Sequence, residues 1–597
     1  MFSGILKTSW RNLSRDRTYN AINIIGLAAG LSSFIIILLY LNYELSYDKW
    51  NPHLGNVFRI SLKSESGTLP QTPAPLAAFL AQNYSAAEAA TSIQPADDYE
   101  LMISTEQKKL YQKGVVIVDS LFMRVFPYKL IKGNANTALN QPNAAIISEE
   151  LSQKLFGTTN PLGKTLKVHN SMEGIVTGVM QFPKTPSHIN ISLLLRNPYE
   201  KQDRFWENYS YHTYIILKSK ISQPRIEDDI NRLYYNERIK KDNIPFEHYK
   251  RSGEQTALFI DAVPDIHNFP KYGSSNFTTV SILLGLAMLL LLAGAINFSN
   301  LAIAKSIKRA KEVGVRKTLG SGTVQLIVQF MFETALQCVI SLCISIVIVY
   351  LALPYLNRSF GIDLRFWKYD TTASLVAQII LCLSVVILIS GLYPSFFLSR
   401  FNPNKVLKGD FSTGKTGKVF RNSLIVVQFM VSAFFIVATL VISTQMNYMK
   451  NKDKGFTDTQ VLRIEAMQNT REGRFDGARN TLLSLPGVAY VAKSTNVPGD
   501  RNFGDTSTIS FKYSGKEYRM SSVKISTDYF NALEVSLVKG RLFSSNYADQ
   551  HTRTAIINET AAKNLNMPNS LGQTIYFPDC DTVPVQIVGI VKDFNVG

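Results

Sequence analysis

The sequence predicts an α-helical polytopic membrane protein with five transmembrane helices and two α/β extracytoplasmic domains. Three observations carry this: five long runs without a charged residue, a basic excess confined to three short segments, and a duplication in which one polar region repeats another. Bulk composition alone leaves the class open. Over 597 residues, hydrophobic types make up 46% and charged types 18%, below the roughly 25% charge of soluble domains. Mean hydropathy is +0.02 and the formal net charge +18. A disordered chain, a collagen-like chain and a disulfide-stapled miniprotein are excluded; a basic soluble protein is not, until the distribution of charge is considered.

The uncharged runs are Thr18–Tyr43, Tyr272–Ala304, Thr334–Asn357, Thr371–Ser399 and Asn422–Met449. Each reaches the roughly 20 apolar residues that a bilayer crossing needs. The first run reads as an anchor and not a cleaved signal, because its apolar core is too long and its small residues AAG lie in mid-segment. Before the first run, between the second and third, and between the fourth and fifth lie 16 basic and 4 acidic residues. By the positive-inside rule these three segments are cytoplasmic, so the N-terminus is inside and the large polar regions are outside. Little basic excess remains elsewhere, and a nucleic-acid partner is not expected.

The expected order is a cytoplasmic amphipathic segment (1–20), a first span (21–43), a first outer domain (44–276) and a second span (277–302). There follow a cytoplasmic loop (303–330), a third span (331–353), a short outer loop (354–373), a fourth span (374–398), a cytoplasmic linker (399–422), a fifth span (423–445) and a second outer domain (446–597). Cys338, Cys343 and Cys382 fall inside spans and leave Cys580 alone outside, so no intrachain disulfide framework is available there.

AAIISEELSQKLFGTTNPLGKTL at 144–166 parallels TAIINETAAKNLNMPNSLGQTI at 554–575. Each reads as strand, amphipathic helix, Pro-containing turn and L-G turn into a further strand, which makes the outer domains α/β. Flanking pairs, DSLFMRVFPYKLIKG with TDYFNALEVSLVKG and GIVTGV with VQIVGIV, keep offsets of 407 to 411 residues. That constancy marks one long duplication. The second copy stops where roughly 90 outer residues and three helices still follow in the first, so the sequence is expected to be truncated.

Catalytic patterns are few and misplaced. GDFSTGKT at 409–416 fits G-x-x-x-x-G-K-[ST], but it sits in a linker between membrane helices without the buried strand that a phosphate loop follows. GTTNPLGKT at 157–165 has one residue too many, and Gln573 replaces its Lys in the repeat. The seven histidines form no zinc pattern. No hydrophobic core of a span carries a charge, which argues against an ion-driven carrier. No cofactor, metal or catalytic residue is expected, and the energy source must lie in another protein.

Three constellations remain. In INFSNLAIAKSIKRAKEVGVRKTLGSG at 296–322, Ile307, Ala310 and Val313 recur every three residues among basic ones, and Glu312 precedes Arg316 in the helix-favouring order. Gly320-Ser321-Gly322 ends this element. It reads either as a short helix lying across the membrane surface and seating in a partner's groove, or as a basic interfacial loop. Gly26 and Gly30 in the first span permit close helix packing, and Gly391 with Pro394 is expected to end or kink the fourth span. At the N-terminus Phe2, Ile5, Leu6, Trp10 and Leu13 share a face suited to the lipid surface.

AKSIKRAKEVGVRKTLGSG followed by QFMFETAL resembles the FtsX/MacB-like family of ABC transporter permeases. So do ISEELSQKLFGTTNPLGKTL, GLYPSFFLSRFNPNKVLKG at 391–409 and the opening FSGILKTSWRNLSRDRTYNAINIIGLAAG, so that the resemblance covers essentially the whole chain. It implies two MacB-like periplasmic core domains, an FtsX-like three-helix unit and a separate cytoplasmic ABC ATPase. By that resemblance Lys311, Glu312, Val313, Gly314, Val315, Arg316, Lys317, Thr318, Leu319 and Gly320 form the ATPase-coupling helix, with Val313 and Leu319 as its exposed apolar contacts. The implied role is a non-catalytic inner-membrane permease for efflux, lipoprotein release or peptide export. A periplasmic adaptor or outer-membrane channel and a dimer or pseudo-dimer of permease halves are the implied further partners. The alternative is an FtsX-like regulatory protein that controls a cell-wall hydrolase or sensor.

Overall fold

A computed structural model of the chain describes residues 11, 17–64, 67–96, 100–169, 172–183, 185–197, 204–218, 222–243, 245–251, 257–273, 275–319, 321–367, 372–399, 415–464, 472–498, 508–513, 516–547, 553–565, 570–576 and 584–594. Among the described residues five helices are long and apolar enough to cross a membrane: α1 (Arg17–Leu45), α2 (Asn276–Thr318), α3 (Thr323–Phe360), α4 (Thr372–Ser399) and α5 (Lys415–Asn451). Each contains one expected span and overruns it. α2 ends at Thr318 and α3 begins at Thr323, so the anticipated loop 303–330 is mostly helix. α3 continues to Phe360 and thus through most of the expected outer loop's first half. Its start at Thr323 also places Glu333, just ahead of the uncharged run, inside the helix and buried.

Two compact units divide the chain, the first reaching Ile436 and the second beginning at Val437. In the first, α1 packs on α2 and α3, and α4 packs on α3 and α2. Between α1 and α2 lies a sheet of 13 strands: β1 (Val57–Ser64), β2 (Gly67–Leu69), β3 (Ala87–Ala96), β4 (Leu101–Ser104), β5 (Lys109–Gln112), β6 (Val115–Val118), β7 (Leu130–Lys132), β8 (Ala144–Ser148), β9 (Thr165–Val168), β10 (Met172–Met180), β11 (Leu193–Arg196), β12 (His212–Leu217) and β13 (Ala257–Ala262). The spatial order is β13-β1-β12-β3-β6-β11-β8-β10-β9-β4-β5, with β2 on β1 and β7 on β10. Strand alternation divides the core. Ile60, Leu62, Ile215 and Ile260 face the helices Leu76–Asn83 and Gln223–Glu237, while Val57, Tyr214 and Ile216 face the short helix Phe122–Val125 with Phe126, and the segment at Ile191.

The second unit has β14 (Thr508–Tyr513), β15 (Lys516–Ser521), β16 (Leu537–Gly540), β17 (Thr554–Asn558), β18 (Thr574–Tyr576) and β19 (Pro584–Val591). Here the duplication is visible atom by atom. β10 pairs antiparallel with β7 and β9 and parallel with β8, and β19 pairs in the same senses with β16, β18 and β17. Ser148 Oγ accepts from the Leu151 N–H at 3.1 Å, and Asn558 Oδ1 from the Ala561 N–H at 3.0 Å, so each copy caps its helix with a small polar side chain. Gly133 and Gly540 have φ of +91° and +81°, and a Cβ on either would stand 2.4 Å from a carbonyl oxygen, of Thr177 or Val588. Only glycine fits both demands. The glycine ending LIKG and LVKG is therefore required by a bulge that both copies share.

Candidate functional site

The segment Lys311–Thr318 is not a separate surface helix. It forms the last turns of α2, which runs unbroken from the membrane span ending at Ile303 to Thr318. Fifteen residues past the span at 1.5 Å per residue make a rod of about 22 Å. The local cause is composition: residues 304–318 contain no proline and one glycine, Gly314, and a single interior glycine costs only about 1 kcal/mol. The helix ends at the Gly320-Ser321-Gly322 stop, of which Gly320 lies outside the described residues.

The two apolar contacts expected of this segment part company. Val313 is 1% exposed and packs on Leu326 and Phe330 of α3, so it locks the α2–α3 corner from within. This corrects its assignment as a partner contact: a valine five residues before a helix end faces the returning helix as readily as it faces a partner. Leu319 is 80% exposed. Val315 and Val324 flank it, both exposed, so the tip of the corner presents Val315, Leu319 and Val324. Burying one such side chain in a partner is worth roughly 1.5–3 kcal/mol.

Behind the tip the helices meet closely. A Cβ on Gly30 would lie 3.6 Å from the Leu290 carbonyl oxygen and the Leu291 Cα, and one on Gly26 would lie 3.6 Å from Asn297 Nδ2. Gly294 returns the approach: a Cβ there would lie 3.7 Å from the Gly26 carbonyl oxygen. Both sequence-chosen glycines therefore face α2. α3 meets α1 through polar side chains: Ser341 Oγ donates toward the Ile24 carbonyl at 3.2 Å and Ser345 Oγ toward the Ala28 carbonyl at 2.9 Å. α4 runs through Gly391 and Pro394 to Ser399, so these residues do not end it. A Cβ at Gly391 would stand 2.8 Å from Met331 Sδ, and its glycine admits α3 at that point.

The phosphate-loop look-alike at 157–165 lacks the required setting. Lys164 donates to Thr159 Oγ1 at 2.9 Å and lies over the Phe156 ring, folded back on its own turn. Residues 409–414 of the other lie outside the described residues, and its Lys415 and Thr416 open α5. The amphipathic residues Phe2, Ile5, Leu6, Trp10 and Leu13, and Cys580, also lie outside them. Among the described residues no group of three or more His, Cys, Asp and Glu side chains is placed to hold a metal.

Sequence reasoning missed the polar contacts at the outer end of α1. Glu44 and Asp48 are buried there, and each meets a histidine, His267 and His188. Their sequence separations of 223 and 140 residues leave no local pattern to find. The one usable signal was a pair of acids one helical turn apart beside the end of an apolar span.

Comparison with known proteins agrees with this architecture. The family described as MacB-like periplasmic core domain matches residues 20–233 and again 430–597, and the FtsX-like permease C-terminal family matches 281–403. The chain is 23% identical over 425 residues to the macrolide export ATP-binding/permease protein MacB of Burkholderia cenocepacia (strain HI2424), covering 68% of this chain and 58% of that protein. It is 25% identical over 305 residues to the protein of the same name from Burkholderia pseudomallei (strain 1710b), covering 49% and 42%. A probable syringafactin export ATP-binding/permease protein, SyfD of Pseudomonas syringae pv. syringae (strain B728a), is 23% identical over 284 residues, covering 46% and 40%. The chain spans about half the length of the curated relatives it matches. Among solved structures, a permease-protein domain from Porphyromonas gingivalis covers 39% of this chain and 98% of its own at 19% identity, with a TM-score of 0.30. The periplasmic region of MacB from Actinobacillus actinomycetemcomitans covers 37% and 96% at 16% identity, with a TM-score of 0.26.

Proposed function

Because the chain belongs to the family of permeases that carry a MacB-like periplasmic core domain and an FtsX-like permease module, we propose that it couples a separate cytoplasmic ABC ATPase to movement of its periplasmic domains. The work done is export of a substrate, or release of a lipoprotein or peptide, by squeezing a periplasmic compartment. The names of the relatives, macrolide export and syringafactin export, support the export side of this reading. The permease contributes no catalytic residue; hydrolysis belongs to the ATPase. Its N-terminus and the α2–α3 corner face the cytoplasm, in keeping with the basic residues collected there. A periplasmic adaptor or outer-membrane channel, and a second permease half, complete the assembly.

One observation carries the proposal: α2 is continuous from the membrane span to an exposed apolar tip. A helix without a break transmits displacement along its length, and Val313 fixes the tip to α3 so that both helices follow it. The glycine contacts then pass the motion to α1, which leads into the outer sheet.

Co-purification of the ATPase from membranes tests the docking. Leu319→Asp should abolish recovery of the ATPase at normal permease levels, whereas Lys317→Ala should weaken it modestly and in a salt-dependent way, since exposed ion pairs give at most about 1 kcal/mol. Unchanged recovery with Leu319→Asp would place the ATPase elsewhere. An adaptor or channel in the same eluate supports export; a cell-wall hydrolase supports the regulatory alternative. Cytoplasm-specific reporters fused near 315 and 410 should be active and one fused after 200 inactive, and activity at 200 would overturn the orientation.

A further inference from the structure

Two buried acids, Glu44 in the last turn of α1 and Asp48 three residues past its end, each grip a different part of the first unit. Asp48 is 1% exposed and sits at φ +54°, a left-handed backbone that aspartate tolerates better than most side chains. Its carboxylate is surrounded by donors from one loop. Ser187 Oγ donates to Oδ1 at 2.6 Å, the His188 N–H lies 3.2 Å from both oxygens, and His188 Nδ1 lies 2.8 Å from Oδ2. The Asp48 N–H closes the loop by donating to the Pro186 carbonyl at 3.0 Å. On its far side, His188 Nε2 meets the hydroxyl of Tyr214 at 2.8 Å. Tyr214 is fully buried in the middle of β12, with Phe126 edge-on to its ring. The imidazole thus bridges the end of a membrane helix and the central part of the outer sheet.

Glu44 makes the second grip. Its Oε2 lies 2.6 Å from His267 Nε2, and its backbone carbonyl accepts from Asn268 Nδ2. Tyr47 stacks on the His267 ring at 3.5 Å between centroids, and Asn276, the first residue of α2, approaches His267 Nε2 at 3.0 Å. In the second copy NYMKNKDKG at 447–455 stands where the first has NYELSYDKW at 42–50, so Asp453 matches Asp48 but Met449 replaces Glu44. The paired acids belong to the first copy.

We infer that Glu44 and Asp48 form a joint through which α1 positions the outer domain, so that the end of α1, the start of α2 and β12 move as one body. Buried charge-assisted contacts of this kind hold orientation as well as position, because the Asp48 carboxylate meets the Ser187 hydroxyl, the His188 N–H and the His188 ring from one loop. A helix joined to a domain by a plain loop would leave the domain free to pivot. The inference concerns geometry in the absence of any ATPase or nucleotide, so its failure would leave the coupling reading intact.

The test is a distance distribution measured by electron–electron spin resonance on the full chain in nanodiscs, with its four cysteines replaced. Spin labels at Ile25, exposed on α1, and Gln82, exposed on the helix Leu76–Asn83 that covers the sheet, report how firmly the domain is held. The parent should give one narrow distribution. Asp48→Ala should at least double its width, and Tyr214→Phe, which cuts the His188–sheet link and leaves the Asp48–His188 contact in place, should broaden it to an intermediate degree with little change in melting temperature. A purely stabilising role would shift melting and leave the width alone. Should Asp48→Ala fail to accumulate, Tyr214→Phe decides: the parental width in that variant overturns the inference.

Discussion

The Ser345 hydroxyl of α3 lies 2.9 Å from the Ala28 carbonyl oxygen of α1 and 2.7 Å from the Ser341 carbonyl in its own helix. One turn earlier Ser341 stands in the same way toward Ile24, and Gln337 Nε2 reaches Asn20 Oδ1 at 3.5 Å. Each pair is separated by 317 residues. A constant difference of this kind requires parallel helices in fixed register. Small hydroxyl side chains suit it, because they let the backbones approach and still satisfy themselves in an apolar surround.

Removing this ladder should therefore loosen α1 from α3 without unfolding the chain. Ser341→Ala and Ser345→Ala should each cost about 0.5–1 kcal/mol, the range found for hydrogen bonds between membrane helices. Ser345→Leu should cost more through steric separation. Thermal denaturation of the purified protein in detergent reads the order Ala, then Leu; equal melting of all three with the parent would mean the contacts carry no stability.

At Gly30 size decides the outcome. An added Cβ would find ordinary van der Waals spacing to Leu290 and Leu291, so Gly30→Ala should be tolerated. Gly30→Leu must drive its side chain into the α2 backbone and should prevent the close α1–α2 packing. Cysteine cross-linking between facing positions of the two helices checks this, with yield kept in the alanine variant and lost in the leucine variant.

The first outer domain should weaken in mild acid. Burial, reinforced by the Arg59 guanidinium and by the neighbouring His188, pushes the His212 imidazole down to about 3. In the unfolded chain the same group titrates near 6.5. Between these values the unfolded state binds the extra proton, so stability is complete above pH 6.5 and falls as the pH drops toward 3. From pH 6.5 to 5 the loss is roughly 1.5–2 kcal/mol. Urea unfolding followed by hydrogen exchange in β1 and β12 should show this slope, and His212→Gln should flatten it.

The sequence made the spans legible because lipid forbids charge, and the outer repeat legible because both copies need the same cap and the same glycine turn. Gly26 and Gly30 were readable for a related reason: small residues at helical spacing have few uses other than contact. Val313 was not, since an apolar residue near a helix end looks the same whether Phe330 of the next helix covers it or a partner does. The histidine contacts of Glu44 and Asp48 were also hidden. Only the folded sheet brings His188 and His267 to the end of α1, and no periodicity announces a pair so distant along the chain.

The docking of an ATPase on the α2 tip is tested most directly by a photoreactive amino acid placed at single positions of the permease in membranes that contain the whole transporter. Leu319 and Val315 should yield an adduct of permease and ATPase, and Val313, covered by Leu326 and Phe330, should yield none. Absence of the adduct from Leu319 and Val315, with the ATPase captured from another segment or from Val313 alone, would contradict the account.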